Sequence, residues 1–65
     1  MIDHKLAFTI DEAAFRADLG RDALYDAIRE GKLEAKKKGR RTLITADALR
    51  RYLENLPTLQ LPPAA

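Results

Sequence analysis

The 65-residue sequence contains no cysteine, a single histidine and no apolar run approaching the roughly 18 residues that a membrane span requires. Without cysteine there is no disulfide to staple so small a fold and no Cys/His cluster with metal-ligand spacing, so stability has to come from packing or from a partner. The same absence permits a reducing compartment. Met1-Ile2-Asp3-His4-Lys5 leads into a mixed-charge stretch with no apolar leader core, which speaks against export and against a membrane association. Catalytic groupings are missing as well. There is no Ser/His/Asp arrangement, no phosphate-cradling glycine loop and no metal site, so an enzyme is not expected, and neither is a cofactor or a metal. His4 stands alone ahead of the first expected helix and reads as a surface histidine, while Asp11 and Glu12 read as first-turn helix residues rather than a catalytic carboxylate pair. A chain of this length buries only roughly 60% of its unfolded surface. That leaves one domain, expected over residues 1–57, and little room for a deep cleft.

What the sequence does have is charge, unevenly placed. The formal net charge is only +2, but residues 1–28 hold three basic and six acidic side chains, residues 29–51 hold nine and three, and residues 52–65 hold one acid. A segment with a net charge of +6 inside a nearly neutral chain forms an electrostatic face. Phosphate backbones are the commonest partners of such faces.

Three helices and a hairpin are expected around that segment. Thr9-Ile10-Asp11-Glu12 fits a capping box that starts a helix at Ile10, with Phe8 placed for a hydrophobic staple and Ala13, Ala14 and Ala17 offering small surfaces to a neighbouring helix. Asp18-Leu19-Gly20 interrupts it near Ala17 with turn-tolerant residues around one apolar plug, the short connection of a helix-turn-helix. From Arg21 a helix of about ten residues carries Leu24, Ala27 and Ile28 on one face and Arg21, Asp22, Tyr25, Asp26 and Arg29 on the other, and Gly31 is placed to end it in a left-handed conformation. Residues 33–38 and 41–44 flank Gly39-Arg40 and are expected to pair as a hairpin. Thr45 caps a third helix from Ala46 to about Asn55, with Leu49, Tyr52, Leu53 and Leu56 at core-facing intervals, and Pro57 stops it. Residues 58–65 form an extended tail whose prolines deny backbone donors. Its Leu59 and Leu61 are candidates to dock on the domain or on a neighbouring copy.

Lys36, Lys37, Lys38, Arg40 and Arg41 are the strongest candidate binding residues, because they crowd a hairpin tip with little interleaved acid and repel one another until a polyanion screens them. The bland reading, a solvated charged surface, is the usual fate of a charge run. On the second helix Arg21, Tyr25 and Arg29 are the candidates, since Arg reads guanine bidentately or holds phosphate and a Tyr hydroxyl donates to phosphate. Against them, Tyr25 belongs partly to the core and the arginines pair with Asp22 or Asp26 at helical spacing.

Phe8-Thr9-Ile10-Asp11-Glu12-Ala13-Ala14, Leu24-Tyr25, Ile28-Arg29-Glu30-Gly31-Lys32-Leu33, Gly39-Arg40-Arg41, Ile44, Leu49 and Tyr52-Leu53, in this order and spacing, resemble the excisionase group of winged helix-turn-helix domains, related to the DNA-binding domains of the MerR regulators. The resemblance covers residues 7–54. It implies a mainly α fold with a small two-stranded β wing that binds double-stranded DNA, the second helix entering the major groove and the wing following the backbone or the adjacent minor groove. Asp18 and Gly20 stand where relatives usually carry a turn Gly and a capping Ser, and Lys36 and Lys38 where they often carry apolar residues. The lysine stems are expected to cover the core edge while the ammonium groups reach outward. The implied role is an excisionase, or recombination directionality factor, that binds cooperatively and bends DNA so that a site-specific integrase excises a mobile element, working in the cytoplasm on the nucleoid. The size carries part of that expectation, since no second domain is available to sense a ligand or to dimerise. Alternatives are a small transcriptional regulator of the same fold and, from another class, an adaptor that holds an acidic protein on its basic face.

Overall fold

The computed structural model describes residues 5–63, so His4 lies outside it. The elements run β1 (Ala7–Phe8), α1 (Ile10–Ala17), α2 (Arg21–Arg29), β2 (Lys36–Lys38), β3 (Arg41–Thr45) and α3 (Ala46–Glu54).

Helix α1 begins where its capping box places it. The Glu12 N–H donates to Thr9 Oγ1 at 3.2 Å, and the Thr9 N–H donates back to Glu12 Oε1 at 3.1 Å, so two orphan donors of the first turn are satisfied reciprocally. Lys5 donates to the other oxygen of the same carboxylate. That contact, and then the Thr9 backbone donor, hold Glu12 below the ordinary carboxylate value of 4.5. A depressed folded-state value stabilises the fold above the unfolded carboxylate range and ceases to do so as pH falls through the folded one. Glu12→Gln keeps the geometry of the box and removes the charge. The wild-type chain is therefore expected to melt higher than Glu12→Gln at pH 7, with the two converging on acidification. An offset between their circular-dichroism melts that stays constant from pH 7 to pH 3 would contradict this.

Both helices of the pair close with the same device. Asp18 takes the left-handed conformation (φ 57°, ψ 42°), its N–H donating to the Phe15 carbonyl at 3.2 Å while the Leu19 N–H reaches the Ala14 carbonyl at 2.9 Å. Leu19 is thereby turned down against the core. At the end of α2, Gly31 (φ 76°) donates to Ile28 at 3.1 Å, and the N–H groups of Lys32 and Leu33 both donate to the Ala27 carbonyl at 2.8 and 3.2 Å. This wrap corrects the expected strand start. Leu33 is bound to the end of α2 and buried beneath it, 2% exposed, and strand geometry begins only at Lys36.

Strand β3 has two different partners along its length. Its inner residues pair antiparallel with β1, Phe8 opposite Ile44 and Ala7 opposite Thr45, and its outer residues pair with β2, Lys36 opposite Leu43, Lys37 opposite Thr42 and Lys38 opposite Arg41. The expected two-stranded wing is thus part of a three-stranded sheet of order β1-β3-β2. Gly39 (φ 60°) and Arg40 make the two-residue turn, with glycine at the first central position where a positive φ is needed. Because the core reaches only as far as Ile44, the hairpin stands clear of it. Lys36, Lys37 and Lys38 are all exposed, so the Lys36 and Lys38 stems do not cover a core edge.

Thr45 caps α3, accepting from the Ala48 N–H at 3.0 Å. Ala48 and Leu49 are buried and Tyr52 packs against the core, but Leu53 and Leu56 are not core residues, being 37% and 41% exposed. The helix ends at Glu54, so Leu56 has left the helical stripe, and Leu53 sits at the exposed rim of α3. Beyond Pro57 no regular structure forms through residue 63, and Leu59 and Leu61 remain 80% and 75% exposed rather than docked on the domain. The core itself joins Phe8, Ile10, Ala13, Ala14, Leu24, Ala27, Leu33, Ile44, Ala48 and Leu49, with no buried polar residue among those described. The architecture is a winged helix-turn-helix, mostly helical, with α1 and α2 as the pair and β2–β3 as the wing.

Candidate nucleic-acid interface

The buried face of α2 fixes which side chains it presents. Leu24 and Ala27 point into the core with Ile28 beside them, which at 3.6 residues per turn turns Arg21, Tyr25 and Arg29 outward. Arg21 and Tyr25 do not stand alone there. With Thr9, Ile10 and Asp11 from the start of α1 and Arg41 and Thr42 from β3, they line one shallow open groove between the helix pair and the wing. Within it Arg21 Nε lies 3.0 Å from Asp11 Oδ1, and the guanidinium carbon stands 6.0 Å from the Tyr25 ring centroid. The Tyr25 phenol oxygen, accepting from the guanidinium, and then the Asp11 carboxylate raise Arg21 above its ordinary value. Arg29 faces the same side of α2 but lies outside the groove, paired with Asp26 one turn earlier.

Ion pairing divides the cations of the basic segment into two groups. Lys32 lies 3.4 Å from Glu30, Lys36 3.4 Å from Glu34, and Arg50 2.9 Å from Asp47 with Glu54 at 3.9 Å. Lys37, Lys38, Arg40 and Arg41 on the wing, and Arg51 on α3, have no carboxylate within ion-pair distance among the described residues. Of the five wing candidates, then, Lys36 is partly neutralised and four are not. The strand period of two further places Lys37 with Thr42 and Ile44 on one face and Lys36 and Lys38 with Leu43 and Arg41 on the other. Lys38 and Arg41 sit directly opposite each other, a like-charge cross-strand pair that weakens the hairpin unless an anion intervenes.

Sequence reading placed Asp11 only as a helix-start residue and gave Thr9, Ile10 and Thr42 no part in the site, yet all four line the groove. The packing of α1 against α2 and of the wing beside them creates that juxtaposition, and no local pattern announces it. Thr42 alone carried a signal, since it lies two residues before buried Ile44 on the same strand face. Among the described residues no group of His, Cys, Asp or Glu is arranged to hold a metal, and no helix is long and apolar enough to cross a membrane.

The sequence model of a helix-turn-helix domain matches residues 7–57, every element from β1 to α3. No curated protein and no solved structure matches the chain.

Proposed function

This chain belongs to the helix-turn-helix domain family, membership that points to DNA as its ligand, and from that premise we propose that it grips double-stranded DNA with α2 in the major groove and the β2–β3 wing along the backbone. The observation that carries this reading is the groove in which Arg21 and Tyr25 of α2 meet Arg41 and Thr42 of β3, beside a wing tip whose Lys37, Lys38 and Arg40 have no carboxylate partner among the described residues. Arg21 is the base reader, Tyr25 and Arg29 contact phosphate or base edges, and Lys36, Lys37, Lys38, Arg40 and Arg41 neutralise phosphates. Arg29 exchanges Asp26 for DNA at little cost, because exposed ion pairs are worth only about 0–1 kcal/mol. The Lys38–Arg41 repulsion is relieved by the same phosphates.

Within that reading the chain acts as an excisionase-type factor, binding cooperatively beside an attachment site and bending it so that an integrase assembles the excisive complex. Support comes from the ordered motifs shared with excisionase-type domains and from two leucines of the tail, Leu59 and Leu61, left exposed for contact with an adjacent copy. A single module buries only about 600–1,000 Å² on DNA, so useful occupancy calls for several copies side by side. The deciding experiment is recovery of genomic fragments on the full chain over a salt series, followed by sequencing. Clustered direct repeats next to an integrase gene are the expected result. Repeats over promoters would replace the excisionase role with transcriptional regulation, and no DNA retained at any salt would overturn DNA binding altogether.

A further inference from the structure

Asp11 is unexpected at a surface proposed to receive phosphates: a carboxylate, with a side chain 74% exposed, lining the groove. Its place in the first turn of α1 suits the helix dipole, but that does not account for its engagement of Arg21 on another helix. The pair it makes with Arg21 is exposed on both sides, 74% and 59%, and such pairs contribute little to stability. Geometry gives a better account. Arg21 is the first residue of α2, where its long side chain has no neighbouring turn before it to lean on, and Asp11 reaches across from the first turn of α1 to engage Nε. With Nε 3.0 Å from Asp11 and the guanidinium beside Tyr25, the side chain is biased from two directions, and the Nη donors not turned to Tyr25 remain for a ligand. A guanidinium gripped by Nε presents its Nη groups in a defined plane, as bidentate reading of guanine O6 and N7 requires.

We propose that Asp11 is a positioning residue for sequence readout, fixing Arg21 so that its free edge discriminates among base pairs while lowering affinity for DNA in general. The inference rests on the DNA-binding reading above. Its mechanism is the same on any target. Ordering Arg21 before contact removes rotamer entropy that would otherwise be lost on binding, and a negative charge in the groove penalises placements in which Arg21 does not compensate with a base contact.

The test is selection from a randomised duplex library by the full-length wild-type chain, Asp11→Asn, Asp11→Glu, Arg21→Ala and the Asp11→Asn/Arg21→Ala pair, with enrichment read at each base position and affinity for the unselected library measured alongside. Asp11→Asn is expected to lower the wild-type preference at one base step by a few-fold, less than the loss in Arg21→Ala, which removes the bidentate contact itself, while binding the unselected library equally or a few-fold more tightly. Asp11→Glu is expected to restore part of the preference, which a purely structural role for the position would not do. The double variant is expected to match Arg21→Ala, because a positioning residue has nothing to position once its partner is gone. Melting curves recorded on the same proteins keep a fold defect distinct from a readout defect. Wild-type preference retained in Asp11→Asn but lost in Arg21→Ala would overturn the proposal, as would preference unchanged in both. A wild-type chain that binds no duplex would instead remove the DNA-binding reading on which it stands.

Discussion

Leu24→Ala is expected to abolish the cooperative thermal transition, or to lower its midpoint by at least about 8 °C. Leu24 is fully buried, in the same core cluster as Ala13, Ala14, Leu33 and Ile44. Removing a buried leucine side chain costs about 2–5 kcal/mol, transfer and cavity together. A domain of this size is stabilised by only about 3–10 kcal/mol in total, at roughly 0.05–0.15 kcal/mol per residue. The truncation therefore removes a large share of what holds the fold, and small domains lose about 4–8 °C per kcal/mol. With four alanines already in the cluster, the neighbours have few long side chains with which to refill the space. Ile44→Val, at an equally buried position, is the graded companion and should cost only about 0.5–1.5 kcal/mol. Leu53→Ala, at the exposed rim, should be close to neutral. A Leu24→Ala chain that melts within a few degrees of wild type would mean the core is not organised around α2.

The contrast between Leu24 and Leu53 also marks what a sequence of this kind makes legible. Both sit at core-like intervals on amphipathic helices, and periodicity alone ranks them equally. What separates them is whether another element lies opposite, which is a tertiary fact. The start of α1 was readable because the capping box is chemistry confined to four consecutive residues, and the Gly39-Arg40 turn because a positive φ at the first position of a tight hairpin calls for glycine. The sequence pattern puts Leu33 in a strand, whereas its hydrogen bond runs back to Ala27, six residues earlier, where no pairing pattern leads. Strand β1 was missed because two residues are too short for an alternation signal, and only the inner half of β3 makes Ala7 and Phe8 a strand. The candidate interface followed the same division. Residues marked by charge, such as Arg21 and the wing cations, could be named from sequence, whereas Asp11 entered the groove through packing between helices and had no local mark.

Lys37→Ala combined with Arg40→Ala is expected to weaken binding to every duplex alike while leaving the fold intact. Both residues are exposed and neither has a carboxylate partner among the described residues, so removing them leaves no buried polar group unsatisfied. Loss of two positive charges beside the opposed Lys38–Arg41 pair lessens repulsion within the wing, and the melting midpoint should stay level or rise slightly. Binding behaves differently. Each phosphate contact contributes roughly 0.9 to the slope of log affinity against log salt. Losing two lowers that slope by about 1.8, and the counterion term alone then costs on the order of tenfold per contact near 50 mM salt, shrinking to a few-fold near 0.2 M. The discrimination between selected and random duplexes should remain, because contacts to phosphate position the protein without reading bases. Lys36→Ala provides an internal comparison, since Glu34 at 3.4 Å already offsets part of that charge and a smaller change in slope is expected. Titrations of one selected and one scrambled duplex at four salt concentrations separate the cases. Parallel loss on both with a shallower slope assigns Lys37 and Arg40 to the backbone. An unchanged slope would leave the wing's charge as a solvated surface, with α2 alone to account for binding.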